Sequence, residues 1–322
     1  MVKRWQNKVA ESRHTQLITI LFGTAVWLLA GLIVQQWWIQ FVCFVLTTLI
    51  LAELNNSNAL IRIFSRLVSS AFVLLFCSAC FLFSSLPGAI FQLCIISSLY
   101  TFFQCYQDRE SAGWTFYTFL LLGLSSIAQV EGLVLIPVYW LLMAVTIYSF
   151  SRRTFTASLL GLLLPYATWS AGILYMNEGD FTPLAEHLGL TETGIVGQLI
   201  ATGDATLLVP NYMALSLSQI LCFVLTVALS LTGTIHFIRK STHDKIRTRQ
   251  IFYSMMTFNG YAALLTIAMP THIDTMLRLM ILTASPLIGH FLALTATKIT
   301  NIAFFVILGA TVLLTAFNLW TL

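Results

Sequence analysis

The stretch LITILFGTAVWLLAGLIV, residues 17–34, contains no charged side chain and follows a basic N-terminal segment. Its length is close to the roughly 20 apolar residues that an α-helix needs to cross a bilayer. It is too long for the core of a cleaved signal peptide, and no A-x-A-like cleavage site follows it. We therefore predict an uncleaved spanning helix whose preceding residues stay in the cytoplasm.

The composition of the whole chain indicates the same environment. Of 322 residues, 58% are hydrophobic and only 9% are charged, whereas soluble globular chains carry about 25% charged residues. Eleven crossings would use about 220 residues and leave about 100 for loops. We predict a single transmembrane domain over residues 1–322, and the net charge of +4 is no argument for nucleic-acid binding in a chain of this kind.

Apolar runs separated by polar breaks predict an all-α, polytopic helical bundle of about eleven helices. A long apolar stretch is divided here into a hairpin that turns at residues 129–132, where Gly132 lets the chain reverse. The predicted spans are 17–34, 37–53, 67–86, 88–106, 112–130, 132–149, 155–176, 211–237, 251–269, 275–293 and 300–320.

The placement of Lys and Arg supports this arrangement. With the N-terminus inside, the cytoplasmic segments hold all but one of the 16 Lys and Arg residues, as the positive-inside rule expects. The exception is Arg278, and the C-terminus falls outside. The residues on the inner side are Lys3, Arg4, Lys8, Arg13, Arg62, Arg66, Arg109, Arg152, Arg153, Arg239, Lys240, Lys245, Arg247, Arg249 and Lys298.

Two connections have a distinctive character. The outer loop 177–210 contains five acids and no Lys or Arg; Thr182-Pro183 reads there as a helix start and Gly189 as its end. We predict a short amphipathic helix on the outer surface, with a lid over a site in the bundle as the alternative. The inner loop 239–250 is the most basic run, and we expect Arg239, Lys240, Lys245, Arg247 and Arg249 to contact anionic lipid or a partner protein.

Arg278 is the ionisable residue that a membrane would tolerate least without a reason. It lies four residues after Asp274 and six after His272, and acid before base at a spacing of four favours a helical ion pair. One interpretation is such a pair, with Arg278 reaching the outer headgroups. The other is an anion site, with Arg278 as a clamp and His272 as donor or base.

Glu131 lies at the predicted outer turn beside Gln129 and Gly132. It is either a solvated turn residue or a general base or cation site facing an outer cavity. With Arg278, Asp274 and His272 it makes a hypothetical substrate-binding set on one side of the membrane. We assign no catalytic residue, because the chain contains no Walker A loop, no H-E-x-x-H helix and no G-x-S-x-G elbow. No metal and no cofactor is expected.

Between about residues 55 and 166 the sequence resembles an uncharacterised family of polytopic bacterial inner-membrane proteins. The pattern consists of an Asn- and Arg-bearing inner loop, two apolar hairpins and the string SRRTFTASLLGLLLPY, whose anchors are Arg153, Phe155, Gly161 and Pro165. The resemblance implies a multi-pass protein of the bacterial inner membrane and brings no activity with it.

Two hypotheses for function follow. The first is a non-enzymatic protein, either a permease-like translocator of a small or lipid-linked solute or a membrane component of an envelope assembly. The alternative is an outward-facing transferase or ligase acting on cell-envelope glycan or lipid at Glu131, His272, Asp274 and Arg278. The expected partners are membrane lipids and, beyond them, other envelope proteins or a lipid-linked substrate, with no nucleic acid. A polar cavity near the midplane would favour translocation, and convergence of the four residues would favour an enzyme.

Overall fold

The computed structural model describes residues 4–176, 181–189 and 212–321, and over these residues the chain is helical with no strand. Short 3₁₀ segments occur at Cys80–Leu82, Phe103–Cys105, Val130–Leu135, Tyr212–Ala214, Ser241–His243 and Pro270–His272. We number the α-helices of this part of the chain α1 (Trp5–Glu11), α2 (Thr15–Leu29), α3 (Trp38–Asn58), α4 (Leu67–Ser78), α5 (Leu86–Phe102), α6 (Ala112–Ala128), α7 (Ile136–Val145), α8 (Arg152–Met176), α9 (Thr182–His187), α10 (Leu217–Lys240), α11 (Ile246–Ala268), α12 (Ile273–Leu294) and α13 (Lys298–Thr321).

Seven helical stretches of the described chain are long and apolar enough to cross a membrane: Trp38–Asn58, Leu86–Cys105, Arg152–Tyr175, Leu217–Lys240, Ile246–Ala268, Pro270–Leu294 and Lys298–Thr321. Four shorter apolar stretches, Thr15–Leu29, Leu67–Ser78, Ala112–Ala128 and Val130–Val145, account for the remaining predicted spans. The predicted helical bundle is confirmed. The number of eleven crossings and the side of each terminus stay predictions.

Contacts between connections agree with the predicted alternation of sides. Segments assigned to the same side by their charges meet at the same end of the bundle, as an alternating path requires. We name the two ends of the bundle inner and outer after the sides predicted from the charges. Pairs at the end named inner are Arg153 with Glu110, Arg247 with the Phe103 carbonyl and Gln6 with Thr295. Pairs at the end named outer are Gln40 with the Ser84 carbonyl, Tyr212 with the Ile267 carbonyl and His187 with the Ser126 carbonyl.

Helix α12 is the central helix of the bundle. It packs against α1, α4, α5, α10 and α11. In its most apolar stretch of 18 residues, 89% of the residues are buried, compared with 22% in the corresponding stretches of α8 and α13. Helix α10 approaches it closely at Gly233, where a Cβ atom would lie 2.9 Å from the Leu287 carbonyl. Side chains of α12 therefore face protein on almost every side, whereas those of α8 and α13 mostly face outward.

The predicted span 67–86 is not one continuous helix. Helix α4 ends at Ser78, Ala79 leaves the helical conformation with φ −112° and ψ 56°, and a 3₁₀ turn follows before Ser85 caps α5. At α-helical rise, the twelve residues of α4 reach about 18 Å, less than the roughly 30 Å hydrocarbon core. The backbone between Ser78 and Ser85 consequently needs hydrogen-bond donors from other helices.

The two distinctive connections differ from their predicted outlines. A helix does occur at Thr182–His187, but Phe181 rather than Thr182 precedes it as the N-cap, and Gly189 follows it with φ +66°. The rest of the 177–210 loop, residues 177–180 and 190–210, lies outside the described residues. At the inner side, α10 runs to Lys240 and α11 starts at Ile246, so the 239–250 segment is mostly helical because Lys and Arg are good helix formers.

Candidate functional site

The outer end of α12 joins two of the four predicted site residues. Helix α6 stops at Ala128, Gln129 is extended, and the 3₁₀ turn that follows carries Glu131. The Glu131 carboxylate Oε1 lies 2.5 Å from Nδ1 of His272, which closes the turn between α11 and α12. Their side chains are 12% and 34% exposed. This acid–imidazole pair can hold and exchange a proton with the outer solvent.

A second imidazole stands beside this pair. His187, at the end of α9, contacts the Ser126 carbonyl at 2.8 Å through Nε2, and its ring meets Trp169 edge-on with centroids 5.0 Å apart. A positive charge on the His187 imidazole would attract the Glu131 carboxylate electrostatically. His187 was not among the predicted site residues, although it follows a predicted helix start in an acidic loop.

Gly132 makes the tight turn at this site possible. A Cβ atom at Gly132 would lie 2.9 Å from the Ser125 hydroxyl and 3.0 Å from the Ser126 backbone. Thr275 of α12 also donates to the Gln129 side chain at 2.9 Å. The predicted hairpin turn therefore packs directly onto the start of α12.

Asp274 and Arg278 do not form the ion pair that their spacing predicts. The Asp274 carboxylate accepts a hydrogen bond of 2.8 Å from Gln219 of α10, and Gln219 is itself held by the capping box that starts α10 at Ser216. Arg278 turns toward α4 and α5 instead. The prediction of a helical pair at positions 274 and 278 was wrong because neighbouring helices supply each side chain with another partner.

Arg278 is 1% exposed, so its side chain is enclosed by the bundle and does not reach the surface. It donates to the Leu82 carbonyl in the break after α4 and, at 3.3 Å, to the Gln92 side chain. Its guanidinium carbon lies 5.7 Å from the ring centre of Phe76. The space beside it has no room for a water molecule, so in this packing Arg278 bridges helices and faces no ligand cavity.

The break after α4 has two further donors. The Ser78 carbonyl accepts hydrogen bonds from the Asn318 amide at 2.5 Å and from the Cys222 thiol at 3.2 Å. With Arg278 on the Leu82 carbonyl, side chains of three helices satisfy the interrupted backbone. Non-helical backbone at membrane depth is tolerated where surrounding protein groups satisfy its hydrogen bonds.

At the inner end of α12 lies a cluster of charged side chains that was not predicted from the sequence. Arg62, after α3, donates from Nε to Oδ1 of Asp244 at 2.6 Å, and the second carboxylate oxygen lies 3.3 Å from Nε2 of His290 on α12. Arg62 is 39% exposed, Asp244 1% and His290 0%. The hydrogen bond to Asp244 raises the pKa of Arg62, which is outside the helices. One signal was available: Asp244 is the sole acid in the basic run 236–249.

Aromatic rings enclose this inner cluster. The His290 ring has Phe237 and Phe252 at 5.1 and 5.0 Å and the half-buried His236 at 5.6 Å between centroids. Both ring nitrogens of His290 and the Oδ2 atom of Asp244 are buried without a hydrogen-bond partner, so their 3.3 Å approach is a close contact and not a formed hydrogen bond.

Between the two ends, α11 and α12 share one polar contact. The Asn259 amide donates to the Met280 carbonyl and to the Thr283 hydroxyl, both at 3.0 Å. Thr283 lies seven residues before His290, so the two side chains share a face of α12. A sparse row of polar contacts thus follows the central helix from its outer to its inner end.

The basic residues near the inner loop have separate surroundings. Arg247 donates to the Phe103 carbonyl at 3.2 Å and lies over the Tyr106 ring at 6.0 Å, while Arg239, Lys240 and Lys245 are exposed. Arg249 lies one turn after Lys245 and is partly buried. The prediction that this set contacts lipid or a partner stays a prediction.

The fold and the polar row define an integral membrane protein with a central, charge-bearing helix. In the described part of the chain, no group of three or more His, Cys, Asp or Glu side chains is arranged to hold a metal ion. Comparison of the sequence with protein-family models, with curated proteins and with solved structures gives no match.

Proposed function

We propose that this protein is a permease-like translocator of the bacterial inner membrane that moves a small or lipid-linked solute, with α12 as its coupling helix. The observation that carries the proposal is the position of two acid–imidazole pairs, Glu131 with His272 and Asp244 with His290, at opposite ends of the most enclosed helix.

The cost of placing these groups supports a functional role. An ionisable residue at the centre of a membrane helix costs about 2.5–3.5 kcal/mol on insertion scales. Helix α12 with its preceding turn carries four ionisable residues, of which Arg278 and His290 are buried, whereas the outward-facing α13 has one, Lys298, at its first position. A helix that serves packing alone gains nothing from His272 or His290, because each requires a buried acid on another segment as its partner.

The spacing of the pairs fits a path across the bilayer. His272 and His290 are separated by about 27 Å at α-helical rise, close to the roughly 30 Å thickness of the hydrocarbon core. The Asn259–Thr283 contact lies between them. In this proposal a proton is taken up at one pair and released at the other, and the solute crosses along the face between α10, α11 and α12 when the helices separate.

The interrupted helix α4 adds support of another kind. Transporters commonly use discontinuous helices whose unwound backbone lies beside the solute pathway. Here the break after Ser78 is held by donors from α10, α12 and α13. Movement of α12 would withdraw Arg278 from the Leu82 carbonyl, so the break and the coupling helix are mechanically linked.

The enzyme hypothesis retains one specific observation. Glu131, His272 and the nearby His187 form an acid–base group at the outer surface, as a transferase of envelope glycan or lipid would need. Asp274 and Arg278 do not join them. This hypothesis predicts a lipid-linked glycan that co-purifies with the wild type and is lost in Glu131→Gln; mass spectrometry of the purified protein tests it.

Substituted-cysteine labelling tests translocation without knowledge of the solute. In a variant whose six native cysteines are replaced, Thr283→Cys should react in membranes with a membrane-impermeant thiol reagent, because a translocation path must admit water to that depth. Ser285→Cys, equally buried but on a different face of α12, is the matched control and should stay unreactive. Ser84→Cys, at an exposed position, is the positive control and defines the maximum extent of labelling.

Two outcomes would overturn the proposed path. If Thr283→Cys is labelled no more than Ser285→Cys, water does not reach the interface between α11 and α12. Equal labelling of both would mean general loosening of the bundle rather than a path along one face.

A further inference from the structure

An apolar groove lies between helices α1, α2, α4 and α13, beside the end of α12. It has a volume of about 460 Å³, within the roughly 300–1,000 Å³ of small-molecule sites. Helix α4 forms its floor, α2 and α13 form its walls, and α1 crosses its inner end. The apolar side chains that line it include Ile18, Leu67, Ala71, Leu74, Leu292, Phe304, Phe305 and Leu308.

The position of α1 at the mouth of the groove is fixed by hydrogen bonds. The Gln6 side chain donates to the Leu292 carbonyl at 2.5 Å and to the Thr295 hydroxyl at 2.6 Å, and the Asn7 side chain donates to the Thr295 carbonyl at 3.1 Å. The Gln6 backbone also donates to Asn301 of α13 at 3.2 Å. These contacts tie α1 to α12 and α13, so the mouth is a built feature of the bundle.

The mouth of the groove is polar and basic. Lys8 lies there with its ammonium 5.2 Å from the Trp5 ring centre, and Ser12 and Thr15 complete the polar rim. Lys298 begins α13 at the same end of the bundle. A tryptophan and a lysine beside an apolar channel are the side chains that favour the membrane–water interface.

We propose that this groove binds one anionic phospholipid of the leaflet that faces the basic loops. An acyl chain lies along α2, α4 and α13, and the phosphate lies at the ammonium of Lys8. Charge complementarity decides the occupant, because a neutral lipid would fill the apolar channel equally well and gain nothing from Lys8. A basic residue near a membrane surface contributes about 1 kcal/mol to binding anionic lipid.

Native mass spectrometry of the full chain in mild detergent tests the proposal. The probes are phosphatidylglycerol and phosphatidylcholine with identical acyl chains, added at equal concentration. One phosphatidylglycerol should be retained in preference to phosphatidylcholine, and Lys8→Gln should lower that preference about fivefold, which corresponds to about 1 kcal/mol. Lys245→Gln, an exposed basic residue of the inner loop, is the matched charge control and should not change the preference.

A second variant tests the acyl-chain channel. Ile18 lines the groove and is 62% exposed, so Ile18→Trp fills the channel without disturbing the core and should reduce retention of both lipids. Leu29→Trp, on the same helix outside the groove and also exposed, should leave retention unchanged.

Three results would overturn the inference. Equal retention of the two lipids by the wild type would remove the role of the headgroup charge. Unchanged retention in both Lys8→Gln and Ile18→Trp would place bound lipid elsewhere. A change in the mass of the purified particle with Ile18→Trp, at constant lipid count, would identify the groove as an interface between copies of the chain.

Discussion

Gly88 provides the space that the guanidinium group of Arg278 occupies. A Cβ atom at Gly88 would lie 2.6 Å from Nε, 2.7 Å from Cζ and 2.8 Å from Nη2 of Arg278. The arginine cannot move aside freely, because it is buried and its donors are engaged by Leu82 and Gln92. The absence of a side chain at Gly88 of α5 is therefore what allows Arg278 of α12 to pack in this position.

Gly88→Ala should destabilise the protein. Overpacking of a filled interior costs about 1–3 kcal/mol, and here the guanidinium would have to leave its acceptors. The measurement is the midpoint of thermal aggregation in detergent, followed by fluorescence-detected size exclusion. Gly260→Ala on α11 is the control: nothing lies within 4 Å of its Cβ position, so the ordinary helix preference for Ala should leave or raise stability. Equal midpoints for the two variants would contradict the pairing.

Arg278→Lys should not preserve the wild-type stability. A lysine ammonium is a point charge that cannot reproduce the planar fork of guanidinium donors, so Leu82 or Gln92 loses its donor. Hydrogen bonds to charged groups contribute about 1.5–3 kcal/mol, and we expect a lower thermal midpoint by the same assay. Arg152→Lys, at an exposed position that begins α8, should behave as the wild type. A stable Arg278→Lys would instead indicate that the residue reaches the headgroups.

A double-mutant cycle on Arg62 and Asp244 should reveal a favourable coupling energy. Their hydrogen bond is short, and Asp244 is buried although Arg62 is partly exposed. We expect a coupling of about 0.5–3 kcal/mol, the range that double-mutant cycles give for residues in contact. Arg62→Gln, Asp244→Asn and the double variant are compared by chemical or thermal unfolding in detergent.

The chain contains a matched control for that cycle. Arg153 and Glu110 are 3.3 Å apart on the same side of the bundle, with side chains 73% and 80% exposed. Their coupling should be close to zero. A coupling at Arg62 and Asp244 no larger than that of this exposed pair would show that the inner cluster is not held by its charges.

Reporter fusions should show the C-terminus outside the cytoplasm. An odd number of crossings, here eleven, places the C-terminus on the opposite side of the membrane from the predicted cytoplasmic N-terminus. Alkaline phosphatase fused after residue 322 should be active and green fluorescent protein there should be dark, whereas fusions after Arg109 should give the opposite pattern. A fluorescent C-terminal fusion would require an even number of crossings and a different assignment of the short helices α2, α4, α6 and α7.

Much of the local structure could be predicted from the sequence. The apolar runs gave the helix positions within a few residues, and the polar string at 129–132 gave the position of a turn that Gly132 makes possible. The break at Ala79 was not predicted, because the run 67–86 contains no charged residue, Gly or Pro and hydropathy does not report backbone conformation. What holds the break open lies on other helices, at Cys222, Arg278 and Asn318.

The candidate site was predicted only in part. Glu131 and His272 were both selected, and they meet although 141 residues separate them in the chain. Asp274 and Arg278 were grouped by their spacing of four, yet each has its partner on a neighbouring helix. The inner cluster of Arg62, Asp244 and His290 was missed, since the three residues come from separate segments and only helix packing brings them together.

The membrane-embedded helical bundle and the approximate positions of its helices follow from the amino-acid sequence alone. The free energy of transferring apolar side chains out of water adds up along the chain, and each helix satisfies its own backbone hydrogen bonds. Membrane insertion and helix formation are therefore local properties of the sequence. The central position of α12 and the polar groups that meet on it became known only from the packing of the helices. Those contacts depend on how helices pack and rotate against each other, and this is set by steric fit between segments distant in the chain.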